Sequence, residues 1–295
     1  MKRKALLSGF FAVSSALFAF EWPQKNTNLN SIVTPFGQKK ETSVSSSIIL
    51  YEKPPKDSKE AEEFISEVYA CHSGTVTCIL TDFEDDNDFF PSTLGNAVIL
   101  DHGDNLVSVY GNLSEINEIP ARLSEAELIG KTGNSAWTTV KNALEFQIND
   151  NKNKTAVNPR FILPRMEKEP VNVPSEIVLE NKDGKRYEYS QDRVFASGVY
   201  RIYQKRNEKN VPARVTVSLN GEISDVLVFD TLRQDNSMIK ISGNKKKYSG
   251  KELYPDNKLF LSGEIRLTPG KSVLTIENRN HLDDKRTSNF SITAY

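Results

Sequence analysis

Residues 95–113 read GNAVILDHGDNLVSVYGNL, and their alternation is the strongest structural signal in the chain. Ala97, Ile99 and Asp101 alternate with Val98, Leu100 and His102, and period two resumes over 106–110. Successive side chains of a strand point to opposite faces, so each run reads as a strand. Between them, Gly103-Asp104-Asn105 offers residue types that accept the backbone of a tight hairpin turn. Residues 127–148, ELIGKTGNSAWTTVKNALEFQI, add a turn at Gly130, a loop at Gly133-Asn134-Ser135 and an exit strand over 143–148.

Together the two runs resemble the lysostaphin-type, or LytM-like, zinc endopeptidases that cut peptidoglycan cross-bridges. That family pairs a G-x-x-V-x-I-x-H-G…Y-x-H-L hairpin with I-G-x-x-G-x-[ST]-G and then H-L-H-F-E-[IV]. Val98, Ile99, His102, Gly103, Tyr110 and Leu113 fit the first part; Ile129, Gly130, Gly133, Leu144 and Phe146 fit the second. Upstream, Phe36-Gly37 matches the family's S-x-F-G-x-R element. The H-x-G-[IV]-D-[IL] element then falls on 45–50, with Ser45 at the histidine position and Ile49 at the aspartate position. Glu67 to Ala70, Gly74 and Val76 match a further hairpin, and AVNPRFIL at 156–163 resembles the exit of the family's catalytic domain.

The resemblance implies a zinc held by two histidines and one aspartate, with an open position where bound water becomes a nucleophile. A further histidine acts as general base and another steadies the tetrahedral intermediate. This chain has three histidines, His72, His102 and His281, and the last lies far outside the resembling segment. Y-x-H-L has become Tyr110-Gly111-Asn112-Leu113, and H-L-H-F-E has become Ala143-Leu144-Glu145-Phe146-Gln147. The expectation is a degenerate member without a zinc site or other cofactor, its family positions substituted at Ser45, Ile49, Asn112, Ala143 and Glu145. His102, Tyr110, Asn112, Trp137 and Glu145 are the candidates to line a ligand groove. His102 matches a family residue that is structural, which implies a turn histidine bonded to nearby backbone. His72 is expected in solvent. Glu145 with His102 or Asp101 is the alternative metal site, and Trp137 either stacks on a ligand or anchors its loop.

The 295 residues suffice for two domains. Lys and Arg number 38 against 39 Asp and Glu, so no basic surplus points to nucleic acid. Mean hydropathy of −0.48 excludes a polytopic membrane protein. Lys2-Arg3-Lys4, the apolar run 5–18 and small residues at Ala16 and Ala19 form the pattern of a secretory signal over 1–19. Its cleavage implies the periplasm or the cell exterior, with no integral membrane segment left. Cys71 and Cys78 then sit in an oxidising compartment, and they pair as a disulfide if the intervening turn centres on Gly74-Thr75.

Residues 20–30 read as a linker, 31–165 as the LytM-like domain and 166–174 as a second, proline-punctuated linker. Within the domain, 52–63 is an expected insertion and 81–91 an acidic solvated loop. From 175 to 295 short strand-like runs recur, with Asn220-Gly221 and Pro269-Gly270 as turns. That spacing predicts an all-β sandwich of immunoglobulin or fibronectin type. The fold class expected for the whole chain is therefore all-β. The functional expectation is an exported envelope protein with an inactive peptidase-like domain that binds peptidoglycan or regulates a cell-wall hydrolase. An active zinc endopeptidase with a rearranged site, and a structural envelope protein working through its sandwich, are the alternatives.

Overall fold

The computed structural model describes residues 20–41, 43–54, 64–81, 92–138, 140–235 and 238–295. The expected signal segment, residues 55–63 of the expected insertion and residues 82–91 of the acidic loop lie outside the described residues.

Strands of the first half are β1 Ile32–Thr34, β2 Lys39–Lys40, β3 Ser43–Val44, β4 Ile48–Leu50, β5 Glu67–Tyr69 and β6 Gly74–Leu80. They continue as β7 Asn96–Asp101, β8 Leu106–Ile116, β9 Arg122–Leu123, β10 Leu128–Thr132, β11 Leu144–Asp150 and β12 Thr155–Val157. The second half holds β13 Val178–Asn181, β14 Arg186–Glu188, β15 Val194–Phe195, β16 Gly198–Lys205, β17 Arg214–Leu219 and β18 Glu222–Val228. It ends with β19 Thr231–Asp235, β20 Met238–Ser242, β21 Lys247–Ser249, β22 Leu259–Leu267, β23 Gly270–Arg279 and β24 Lys285–Ala294. One single-turn helix, Gly250–Leu253, is the only α-helix among the described residues. No helix among them is long and apolar enough to cross a membrane.

The alternation over 95–113 becomes the β7–β8 hairpin, with Val98 opposite Tyr110 and Asp101 opposite Val107. Gly103, Asp104 and Asn105 all take positive φ at its turn, as the residue types require. β11 lies at the centre of the sheet, between β8 and β12, and also pairs with β4. Its even-numbered residues, Leu144, Phe146 and Ile148, are buried with Val98, Leu100, Tyr110, Ile48 and Leu50 in the core. Its odd-numbered residues, Glu145, Gln147 and Asn149, therefore share the opposite face. Strand pairing thus sorts the hydrophobic and the chemical residues of one segment onto two sides.

The sandwich strands form two sheets, β14-β13-β16-β22 and β15-β24-β23-β17-β18. Asn220 and Gly221 make the positive-φ turn between β17 and β18, and Gly270 opens β23 at positive φ. β19, β20 and β21 do something different. β12 pairs with β19, so these three strands extend the first half's sheet to thirteen strands. Ala156 faces Leu232 across that junction. Buried side chains of both halves join in one contiguous core.

The two segments expected as linkers are packed. Phe20 is buried against the rings of His72 and His102, and Trp22 Nε1 donates to the Pro164 carbonyl at 3.0 Å. Large aromatic groups close to the LytM-like half gain more by burial than a solvated linker would. In 166–174, Glu169 takes an ion pair from Arg160, and its carboxylate also accepts from His281.

The condition set for a disulfide is not met, and both cysteines are free. Gly74 begins β6 instead of centring a hairpin, so Cys71 lies in the bend before that strand and Cys78 within it.

Candidate functional site

The substituted family positions converge around Glu145. Ile49 of β4 and Gly111 of β8 lie directly opposite it on either side of β11. Ser47 Oγ donates to Glu145 Oε1 at 2.9 Å, and Ser45 Oγ donates to the Ser47 carbonyl at 2.9 Å. Lys40 Nζ stands 3.7 Å from the same carboxylate oxygen, and Gln147 Nε2 donates to it at 3.4 Å. Glu145 is only 4 % exposed, so these donors supply the solvation that water would otherwise give. Lys40, at the end of β2, brings a positive charge to Glu145.

Asn112 is fully buried and adopts a left-handed φ of 64°. Its Nδ2 donates to the carbonyls of Gly133 and Ala143, at 2.7 and 2.6 Å. Its Oδ1 accepts from Ala136 N at 2.9 Å. The amide closes the base of the 133–143 loop and keeps nothing for a substrate. Trp137, in that loop, is 66 % exposed, so its indole is not a buried anchor. Its backbone N–H, not its ring, ties the loop to Thr93.

Two of the expected groove residues face the other way. Tyr110 pairs with Phe146 on the core side of the sheet and is fully buried, its ring 5.3 Å from that of Phe146. Its hydroxyl donates to Cys71 Sγ at 3.0 Å and accepts from Cys71 N at 2.8 Å. His102 Nδ1 lies 2.9 Å from the Ser73 carbonyl and Nε2 2.7 Å from Ser108 Oγ. A carbonyl only accepts, so the neutral ring carries its proton on Nδ1. Burial lowers the His102 pKa, and the imidazole stays neutral. His102 is thus a turn histidine bonded to backbone, as its family match implies, and no groove residue. His72 is half-buried, its Nδ1 3.1 Å from Glu125 Oε2, where solvent exposure was expected. Burial also pushes the Cys71 thiol up to about 11, which leaves it protonated and unreactive.

The donor set does not fit a zinc ion. Around Glu145 stand two hydroxyls, an ammonium, a carboxamide and an aliphatic side chain. Asn112 is committed to main-chain carbonyls. Among the described residues no three His, Cys, Asp or Glu side chains gather as ligands of a metal ion. His102, on the far face, cannot join Glu145 in a substitute site.

Residues 60–159 match the model of peptidase family M23. With the hairpins and the glycine turns in place around the substituted site, that match identifies the segment. Over residues 60–159 the chain matches the LytM-like family. The LytM-like match covers about a third of the chain, and a second family model, of no described function, matches residues 173–295. No curated protein matches. Solved structures that resemble the chain include one from the SpoIIQ–SpoIIIAH pore-forming complex, 21% identical with a TM-score of 0.38, covering 52% of this chain and 95% of that one. EnpA, a prophage-encoded M23 protein of Enterococcus faecalis, is 20% identical with a TM-score of 0.34 over 48% of this chain and 95% of its own. Lysostaphin of Staphylococcus simulans is 15% identical with a TM-score of 0.31 over 81% and 91%.

Sequence reasoning missed Ser47, Lys40 and Gln147 as members of the LytM-like site. Gln147 was within reach, because it follows Glu145 by two residues in a strand and so shares its face. Lys40 approaches through the fold of the β2–β3 hairpin, which has no counterpart in the quoted motifs.

Proposed function

We propose that this is an exported cell-envelope protein whose LytM-like domain binds, and does not cut, a peptide of peptidoglycan or a segment of a cell-wall hydrolase. One observation carries the reading: the positions that hold metal and base in the family carry Ser45, Ile49, Asn112, Ala143 and Glu145, with Glu145 bonded by Ser47, Lys40 and Gln147 and Asn112 bonded to main chain. A carboxylate saturated by a hydroxyl, an amide and an ammonium neither activates water nor holds a divalent cation open to substrate. The β scaffold around it keeps its glycine turns and core aliphatics, which supports retention of the surface and loss of the reaction. Fold alone does not fix function, so the site carries the argument.

The chain from Phe20 onward tests this directly. It is expected to cosediment with purified sacculi, or to capture a cell-wall amidase, while releasing no peptide and carrying less than stoichiometric zinc after dialysis. Stoichiometric zinc together with release of new amino termini from sacculi would replace this reading with an active endopeptidase.

A further inference from the structure

The sheet face that carries Glu145 does not end with the LytM-like half. Gln147 and Asn149 continue the row along β11, and β12, β19 and β20 carry the same face onward. There the surface sinks into a groove of about 400 Å³, bordered by Ser46 on one side and by Gln234 and Ile239 on the other. That volume lies in the range of pockets that hold small ligands. β19 and β20 fall beyond the segment that matches family M23, so this wall belongs to the present chain and not to the family's own cleft.

The groove's polar groups are unspent. Asn149, Gln234 and Ser46 have no side-chain hydrogen bond to another described residue, and Gln147 uses only its Nε2. Three buried carboxamides elsewhere are bonded: Asn112 to loop carbonyls, Asn158 to Phe229 and Asn278 to Gln204. Charge is scarce, since the Asp150 carboxylate is taken by Asn153 and Lys154 stands exposed at the rim. Alternate residues of a strand repeat every 6.6 to 6.8 Å or so, which is also the two-residue repeat of an extended peptide laid alongside. Each carboxamide offers both a donor and an acceptor, matching the main-chain N–H and C=O such a peptide presents. Between them Ala156, Leu232 and Ile239 leave an apolar floor for small side chains.

We infer that the groove between β11–β12 and β19–β20 binds an extended, uncharged peptide segment of small residues, held through the carboxamides of Gln147, Asn149 and Gln234. This rests on the reading of the LytM-like domain as a peptide-binding module and gives that module its contact surface.

An acetylated, amidated alanine tetrapeptide titrated into the 15N-labelled chain tests it. Saturable shifts of the side-chain amide signals of Gln147, Asn149 and Gln234 are expected. Asn149→Ala and Gln234→Ala should each weaken binding about three- to tenfold, the equivalent of one neutral hydrogen bond. Gln234 is exposed, so its variant keeps the fold, which an unchanged melting temperature verifies. Unmoved amide signals, or variants that bind as well as the parent, overturn the assignment. So does a tetramer of N-acetylglucosamine that shifts these signals when the peptide does not. Sacculus cosedimentation separates the two layers: equal sedimentation of parent and Gln234→Ala removes the groove and leaves the proposed function. A parent that binds the tetrapeptide here but ignores both sacculi and amidase removes the function and leaves the groove.

Discussion

Asn112 stands where the family carries a histidine, yet both donors and the acceptor of its amide hold the 133–143 loop together. Replacing it by alanine removes one donor from each of two carbonyls and the acceptor of the Ala136 N–H. Asn112→Ala is expected to cost about 1–3 kcal/mol of stability, read as a lower urea midpoint at unchanged slope. A midpoint equal to the parent's would show that the amide is dispensable and that the position is open to a ligand. Cysteine chemistry separates at the same scale. Cys71 is fully buried with its thiol pushed up to about 11, whereas Cys78 on β6 is half-buried. Air-oxidised native chain should retain two alkylatable thiols, and Cys78 should react with iodoacetamide well before Cys71. An intact-mass loss of two protons without reduction would instead demonstrate a Cys71–Cys78 disulfide.

At the scale of elements, the hairpins were legible because their signals are local. Gly103-Asp104-Asn105 and Asn220-Gly221 specify their turns from three or two residues, and period two fixes which side chains travel together. The substitution of Asn112, Ala143 and Glu145 at motif histidine positions was legible from the motifs and a count of histidines. Which face each run presents was not, since that depends on the pairing of Val98 with Tyr110 and of Phe146 with Tyr110. Tyr110 and His102 were placed in the groove for want of that register. Least legible was the departure of β19–β21 from the sandwich, because Ala156 and Leu232 are joined by pairing alone and no nearby residue announces it. That pairing has a consequence for truncation. A chain ending at residue 165 exposes the β12 edge, strips Phe229 from Asn158 and leaves Arg160 without Glu169. It is expected to aggregate or to melt without cooperativity in size-exclusion and circular-dichroism measurements. A monodisperse, cooperatively melting 20–165 fragment would mean that the LytM-like half folds alone.

Across the whole molecule, Arg160 after β12, Glu169 in the connecting segment and His281 between β23 and β24 meet in one buried cluster. His281 Nδ1 lies 3.2 Å from Glu169 Oε2, and its Nε2 faces the Asn158 amide nitrogen at 3.2 Å. Asn158 Nδ2 can only donate, so Nε2 accepts and the neutral ring carries its proton on Nδ1. A second proton would set N–H against N–H beside the Arg160 guanidinium. Burial accordingly lowers the His281 pKa; the bond to Glu169 opposes this, while the charges of Arg160 and Arg165 add to it. Burial lowers His102 as well. Glu169 is itself held below the usual carboxylate range: burial works against this, but the His281 hydrogen bond and the Arg160 charge prevail. The signs then agree. Unfolded imidazoles titrate near about 6.5 and take up protons that the folded rings refuse, so their contribution is complete above that pH and is lost as pH falls beneath it. Each histidine adds up to about 1.4 kcal/mol per pH unit to that slope, until its folded value is reached. The Glu169 contribution is lost only at lower pH, as its carboxyl is protonated in the folded state. Urea unfolding at steps from about pH 7.5 to 5 is therefore expected to show falling stability below about pH 6.5, with a shallower fall for His281→Gln. If the parent's midpoint stays level across that interval, protons do not discriminate between folded and unfolded chain, and the buried cluster joining the two halves does not hold its histidine neutral.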